Sequence, residues 1–170
     1  MAIFKLIENT NTALIIPLSG CSEDMNRQEM KDNLIETMEH FNGIGLSANQ
    51  CGVMERVFVM YSDVKKKEII ACFNPKIVSE SDEQIFMDEG CLTYPGLWLK
   101  VKRPDGIEVT YEDENGEKQE RAMFGLECRV FQHEYDHMEG NNFTKRVSPL
   151  KLDMAKRRAT KMRKRSLLSM

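Results

Sequence analysis

The stretch "QHEYDH", Gln132 to His137, holds three side chains whose types and spacing suit chemistry. His133 and His137 stand four positions apart, and on an α-helix that spacing puts both imidazoles on one face. Two ring nitrogens aimed at one point can bind a divalent cation. Glu134 lies next to that face, placed to hold a water on the ion rather than the ion itself. This is the H-E-x-x-H arrangement of metal hydrolases. The plain alternative is a helix with two surface histidines. Apolar neighbours, and only three histidines in 170 residues, weigh against it.

A catalytic ion commonly has three protein ligands and one open position. No glutamate follows Glu139 and no histidine follows His137, so the usual routes by which zinc endopeptidases complete this motif are closed. The third ligand must lie upstream. His40 is one candidate, at the end of an amphipathic stretch. Cys91, in "DEGCLTYPGLW", is the better one, because a thiolate binds zinc or iron well. Gly90 beside it allows close backbone approach, and Pro95-Gly96 limits the segment. Cys21, Cys51, Cys72 and Cys128 suit ordinary structural thiols. A cysteine hydrolase with Cys91 as nucleophile is a rival chemistry, but both histidines are already committed to a metal.

Several elements must position these groups. "CSEDMNRQEMKDNLIETMEHFNG" has Met30, Leu34, Met38 and Phe41 at helical spacing, with Ser22 or Asp24 as cap and Gly43 just past its end. "RVFVMYS" and "KEIIACFNPKIVSE" predict strands. "DGIEVTYEDENGEKQERAMF" predicts a hairpin, with Ile107, Val109 and Tyr111 alternating and a tight turn at Asn115-Gly116. The motif falls on a helix from about Leu126 to Met138, between Gly125 and Gly140, with Leu126, Val130, Phe131 and Tyr135 on its apolar face. "VSPLKLDMAKRRATKMRKR" predicts a last helix capped by Ser148, with Pro149 at its first position. Leu152, Ala155, Ala159 and Met162 would form its narrow apolar stripe. Strands joined by hairpins and short loops point to an α+β fold. Mixed or antiparallel sheets would surround a central helix carrying the motif, with a C-terminal helix added.

At 170 residues the chain fits one domain with a real core, here 1–147 as the catalytic part and 148–170 as a basic helix of the same domain. No segment resembles a signal peptide or is long enough to span a bilayer, so no membrane partner is expected. Five cysteines without framework spacing fit a reducing cytoplasm. The net charge of −3 hides an asymmetry. Of 24 Lys and Arg, ten fall from Lys145 onward against one acid, Asp153; the first 144 residues keep 14 bases and 26 acids. A basic tail on an acidic body suggests an anionic partner, nucleic acid first, or simply a solvated helix that offsets the body's charge. A non-enzymatic RNA- or ribosome-binding module is the corresponding rival to an enzyme.

A third block completes the pattern. "GIGLSANQ", "EGCLT" and "QHEYDH", in that order from Gly43 to His137, resemble the three signature motifs of peptide deformylases. Ser47 and Thr93 stand where many members have alanine and serine, and the N-terminal "DPVLR"-like run of bacterial members is missing. The resemblance implies metal-dependent hydrolysis of the N-formyl group from the N-terminal methionine of nascent polypeptides, releasing formate. Cys91, His133 and His137 would bind one divalent ion, Fe²⁺ first, with Zn²⁺, Ni²⁺ or Co²⁺ possible, and a water in its open position. Glu134 would be general base, then general acid. The Gln50 amide and the Leu92 N–H would stabilise the oxyanion. The Ile44–Gly45 backbone and Gly90 would pair with the extended peptide, and Ile44, Leu126 and Val130 would line the methionine pocket, unless they are plain core. Gly43 would support the loop, and Glu89 would brace the Cys91 segment through Arg103. Trp98 and Arg129 fall near the expected substrate rim. The tail 148–170 resembles a ribosome-docking helix, which makes ribosomal RNA rather than DNA the anionic partner.

Overall fold

The computed structural model describes residues 1–168. Strands β1 (Gly45–Ser47), β2 (Val57–Asp63), β3 (Glu68–Glu80), β6 (Gly106–Glu112) and β7 (Lys118–Phe124) form one sheet in the order β1-β2-β3-β6-β7. Strands β4 (Gln84–Cys91) and β5 (Tyr94–Pro104) form a separate two-stranded sheet. Helices α1 (Arg27–His40), α2 (Gly125–Met138) and α3 (Pro149–Leu168) pack on these sheets. Every strand pairing is antiparallel, so of the two sheet types expected the antiparallel one is present.

The period-two pattern of β2 explains the layering. Val57 and Val59 point to one side, where they cluster with Leu34 and Met38 of α1. Phe58 and Met60 point to the other, where they cluster with Val130, Phe131 and Met138 of α2. Both faces of the strand are therefore buried, which is why it reads as a near-continuous apolar run. Phe58 and Phe131 meet edge to face at 5.1 Å between ring centroids. α2 is thus a central helix, buried over most of its surface.

The helix ends differ in detail from expectation. α1 starts later than Ser22 or Asp24, because the Ser22 hydroxyl is taken by Glu55; Asn26 caps it instead, accepting from Glu29 N at 3.1 Å. At the other end Asn42, not Gly43, adopts the left-handed conformation, with φ 57°. Asn42 N donates to Glu39 O and Gly43 N to Met38 O, the paired bonds of a Schellman motif. The same motif closes α2, with Gly140 at φ 70° and Asn141 N donating to Asp136 O at 2.8 Å. The tight turn expected at Asn115-Gly116 is a longer connection in which Asp113 Oδ1 accepts from Asn115 N and Glu117 N.

The β4–β5 hairpin escaped the sequence reading, although its signal is present. Leu97, Leu99, Val101 and Arg103 alternate with exposed residues and are all buried. α3 covers this hairpin, with Leu152 and Ala155 against Leu97, Leu99 and Val101. Ser148 Oγ accepts from Lys151 N at its start. Of the expected stripe only Ala155 is fully buried; Met162 is exposed, as are the bases from Lys156 onward. Ser169 and Met170 of the expected tail lie outside the described residues.

Candidate metal centre

Three elements converge on one point. α2 carries His133 and His137, whose rings lie 5.4 Å apart between centroids. β4 ends at Cys91, just before the two-residue turn Leu92-Thr93. The ladder is irregular between Glu89 and Cys91, so Gly90 acts as a bulge that re-aims the next side chain. Cys91 Sγ thereby comes within 3.5 Å of His137 Nε2. The ligand atoms of Cys91, His133 and His137 all lie within 4.8 Å of one another. Among the described residues they form the one such cluster of His, Cys and acidic groups; His40 is exposed and takes no part.

The third element is the 3-10 turn Ala48–Cys51, which delivers Gln50. Gln50 Oε1 accepts from Ser47 N and Ser47 Oγ, so the amide is held with its nitrogen outward. Nε2 then donates to Thr93 Oγ1 at 2.9 Å and lies 3.5 Å from Cys91 Sγ. Asn49 Nδ2 donates to the His137 carbonyl at 2.8 Å, which ties this turn to α2. Ser47 and Thr93, the departures from the common motif, both bond the Gln50 amide through their hydroxyls.

Glu134 is buried, and its Oε2 has no hydrogen-bond partner in the protein. Burial pushes its carboxyl up to about 7, near where a general base works best at neutral pH. Burial also pushes His137 well below its usual range, favouring the neutral ring that can ligate. On His133 burial works the same way, but the bonds to Cys91 and Glu89 outweigh it and raise the pKa. A close set of one thiol and two imidazoles, with an orphaned buried carboxylate oxygen beside it, fits a divalent ion that carries a water.

His133 Nδ1 lies 2.9 Å from Glu89 Oε1, which leaves Nε2 as its ligand atom. Arg103 grips the same carboxylate from Nε at 2.6 Å and Nη2 at 2.9 Å. Burial opposes the charge on Glu89, yet Arg103 and His133 hold its carboxyl well below the usual range. Arg103 Nη1 also reaches Asp136 at 2.9 Å. This pair is fully buried, not a surface salt bridge. Asp136 went unremarked in the sequence; its signal was an acid inside a helix stretch otherwise bound for the core.

A cleft of about 510 Å³ opens over Cys91, His133 and Glu134. Ile44, Gly45, Gly90, Leu126 and Val130 line it. Leu126 is 46% exposed, so it belongs to the cleft and not to the core face expected of it. Gly43 also borders the cleft, and a methyl group there would stand 2.7 Å from Leu92 Cδ1. Trp98 lies on the rim as expected. Arg129 also borders the cleft, but its guanidinium turns inward: the residue is buried and its charge is met by Glu89. A larger polar hollow of about 600 Å³ lies behind α2 and contains none of the three ligands.

Comparison with known proteins agrees with this geometry. The family model for polypeptide deformylase matches residues 14–153. A peptide deformylase of Rhizobium meliloti is 40% identical over 152 residues, covering 87% of this chain and 85% of its own. The crystal structure of a peptide deformylase from Legionella pneumophila superposes with a TM-score of 0.86 at 34% identity, covering 98% of each chain. That of Synechococcus elongatus, in complex with actinonin, gives 0.83 at 34% identity, covering 89% of this chain and 85% of that one.

Proposed function

This chain belongs to the polypeptide deformylase family, a metal-dependent hydrolase family, and from that premise we propose how its own residues remove the formyl group from N-formylmethionyl peptides. The observation that carries the reading is the Cys91, His133, His137 cluster beside the unpartnered Glu134 Oε2. These three residues would hold one divalent ion, which supplies a Lewis acid for the formyl carbonyl and lowers the pKa of water. Iron(II) is the ion we assign, with zinc, nickel or cobalt able to replace it, since a mixed S/N donor set accepts all four.

Glu134 takes the proton from the attacking water and passes it to the leaving amine nitrogen. Gln50 Nε2 and the Leu92 N–H donate to the oxygen as negative charge builds on it. Gln50 is already oriented for this by Ser47 and Thr93. The peptide lies extended between the Ile44–Gly45 and Gly90 backbones, as an added strand. Ile44, Leu126 and Val130 receive the methionine side chain. Gly43 supports Leu92 by leaving room for it, and Glu89 with Arg103 holds the His133 ring in its ligating orientation.

We assign residues 1–147 to catalysis and 148–170 to a basic helix of the same domain, docked by Leu152 and Ala155. Its exposed bases suit ribosomal RNA, a contact whose affinity falls steeply with salt. The assigned compartment is the cytoplasm, in keeping with five free cysteines and with no described helix long and apolar enough to cross a membrane. The test is formate release from formyl-Met-Ala after anaerobic purification, with metal analysis. About one ion per chain and formate without internal peptide cleavage is expected; metal-independent turnover would overturn the mechanism. For the tail, replacing the exposed Lys156, Lys161, Arg163 and Lys164 by glutamine should abolish co-sedimentation with ribosomes at low salt and spare formate release, since Leu152 and Ala155 still cover the hairpin.

A further inference from the structure

The two halves of the metal centre ride on separate pieces of structure. Cys91 ends β4, in a sheet that shares no backbone ladder with the five-stranded one. Both histidines sit on α2. The position of the sulfur relative to the imidazoles therefore depends on side-chain contacts between hairpin and helix.

Arg129, one turn before His133, makes several of these contacts at once. Its Nη1 donates to Glu89 Oε2 at 2.7 Å and to Val101 O at 2.9 Å, and its Nη2 donates to Ile85 O at 2.9 Å. Ile85 lies on β4 and Val101 on β5. The other described α2 side chains that donate to hairpin carbonyls, Cys128 and Gln132, reach only Pro104. Arg129 alone grips the main chain of both strands.

The same guanidinium completes the shell around Glu89. Oε1 accepts from Arg103 Nη2 and faces His133 Nδ1; Oε2 accepts from Arg103 Nε and Arg129 Nη1. A carboxylate that orients a ligating histidine tunes both the ring's direction and its donor strength. Here that carboxylate is clamped from two sides, once from β5 and once from α2. The planar fork of arginine can serve an acid and two carbonyls in fixed directions, and a lysine ammonium cannot.

We propose that Arg129 is a positioning residue of the metal centre, tying the Cys91 hairpin to the histidine helix and fixing Glu89 against His133. The inference rests on the metal-dependent reading above. A role in fold stability alone is the alternative, and metal affinity separates the two. The full chain and its Arg129→Met and Arg129→Lys variants are stripped of metal, loaded with cobalt(II), and titrated with a competing chelator. Visible absorption and the Tm of the metal-free form are recorded alongside. Arg27→Met is the control, because Arg27 bonds Asp113 O and Glu112 in another part of the fold.

Arg129→Met should bind cobalt about 10–100-fold more weakly, with shifted absorption bands. Arg129→Lys should fall between it and the wild type. Arg27→Met should lower the Tm and leave cobalt affinity unchanged. A cobalt affinity within twofold of wild type in Arg129→Met, with unshifted bands, overturns the proposal whatever the Tm does. If Arg129→Met does not fold, Arg129→Lys decides in the same way. Failure of the wild type to bind metal or release formate would count against the reading of the active site, not against Arg129 alone.

Discussion

Gly45 and Glu134 lie so close that a methyl group on the glycine would stand 2.6 Å from Glu134 Oε1. The nearest obstacle is thus the movable end of the proposed base, while Val130 Cγ1 follows at 3.0 Å. Gly45→Ala should push the carboxylate aside and leave the core in place. Turnover should fall by about 100-fold, the cost of misplacing a catalytic group by about 1 Å. The check is formate release against thermal unfolding, with the Tm of the variant expected within a few degrees of wild type.

Glu134→Gln removes the proton acceptor and keeps the side chain's shape. Formate release should drop by about 10²–10⁴-fold, because that is what positioned proton transfer contributes. Metal content should stay near that of the wild type, since Cys91, His133 and His137 are intact. Metal analysis and steady-state kinetics on the same preparation make the comparison; full activity in the variant would sink the assignment of Glu134.

Cys91→Ser exchanges a thiolate for a hydroxyl, a poor ligand for iron or zinc. The variant should lose its ion to chelators much faster than wild type and lose activity with it. Inductively coupled plasma analysis after dialysis measures the loss.

Phe131 is fully buried between Phe58 and Tyr135, away from the cleft. Phe131→Ala should cost about 3–5 kcal/mol of stability, from lost transfer energy and the cavity left behind. Urea unfolding measures it. The contrast with Gly45→Ala separates groups that hold the fold from groups that hold the site.

Burial pushes the Cys21 thiol up to about 11 and the Cys51 thiol up to about 12. A thiol with its pKa raised this far is protonated at neutral pH, and its reactive thiolate grows about tenfold per pH unit below the pKa. At pH 8 about one Cys21 in 10³ is thiolate. Alkylation of both by iodoacetamide, followed by peptide mass spectrometry, should therefore be slow at pH 7 and still rising at pH 9. A plateau near pH 8 would contradict the burial.

Much of the site was legible in the sequence because its key spacing lies within one element. Four residues span about one helical turn, so His133 and His137 share a face wherever α2 packs, and Glu134 must lie beside that face. The apolar run of β2 and the stripe of α1 likewise announce burial through local periodicity. Cys91 was found by elimination, since no glutamate follows Glu139 and no histidine follows His137 to complete the site in the usual way.

Only the tertiary structure decided how the hairpin meets the helix. Glu89, Arg103, Arg129 and Asp136 are separated by up to 47 positions; Arg129 and Asp136 share a face of α2 at seven-residue spacing, but no local period relates them to Glu89 and Arg103. Their charges look like surface charges until packing brings them together, where two guanidiniums and an imidazole satisfy one buried carboxylate. The Gly90 bulge and the gap at Gly45 are of the same kind. Spacing along the chain sets directions inside an element; distances between elements arise from which faces are driven together to leave water.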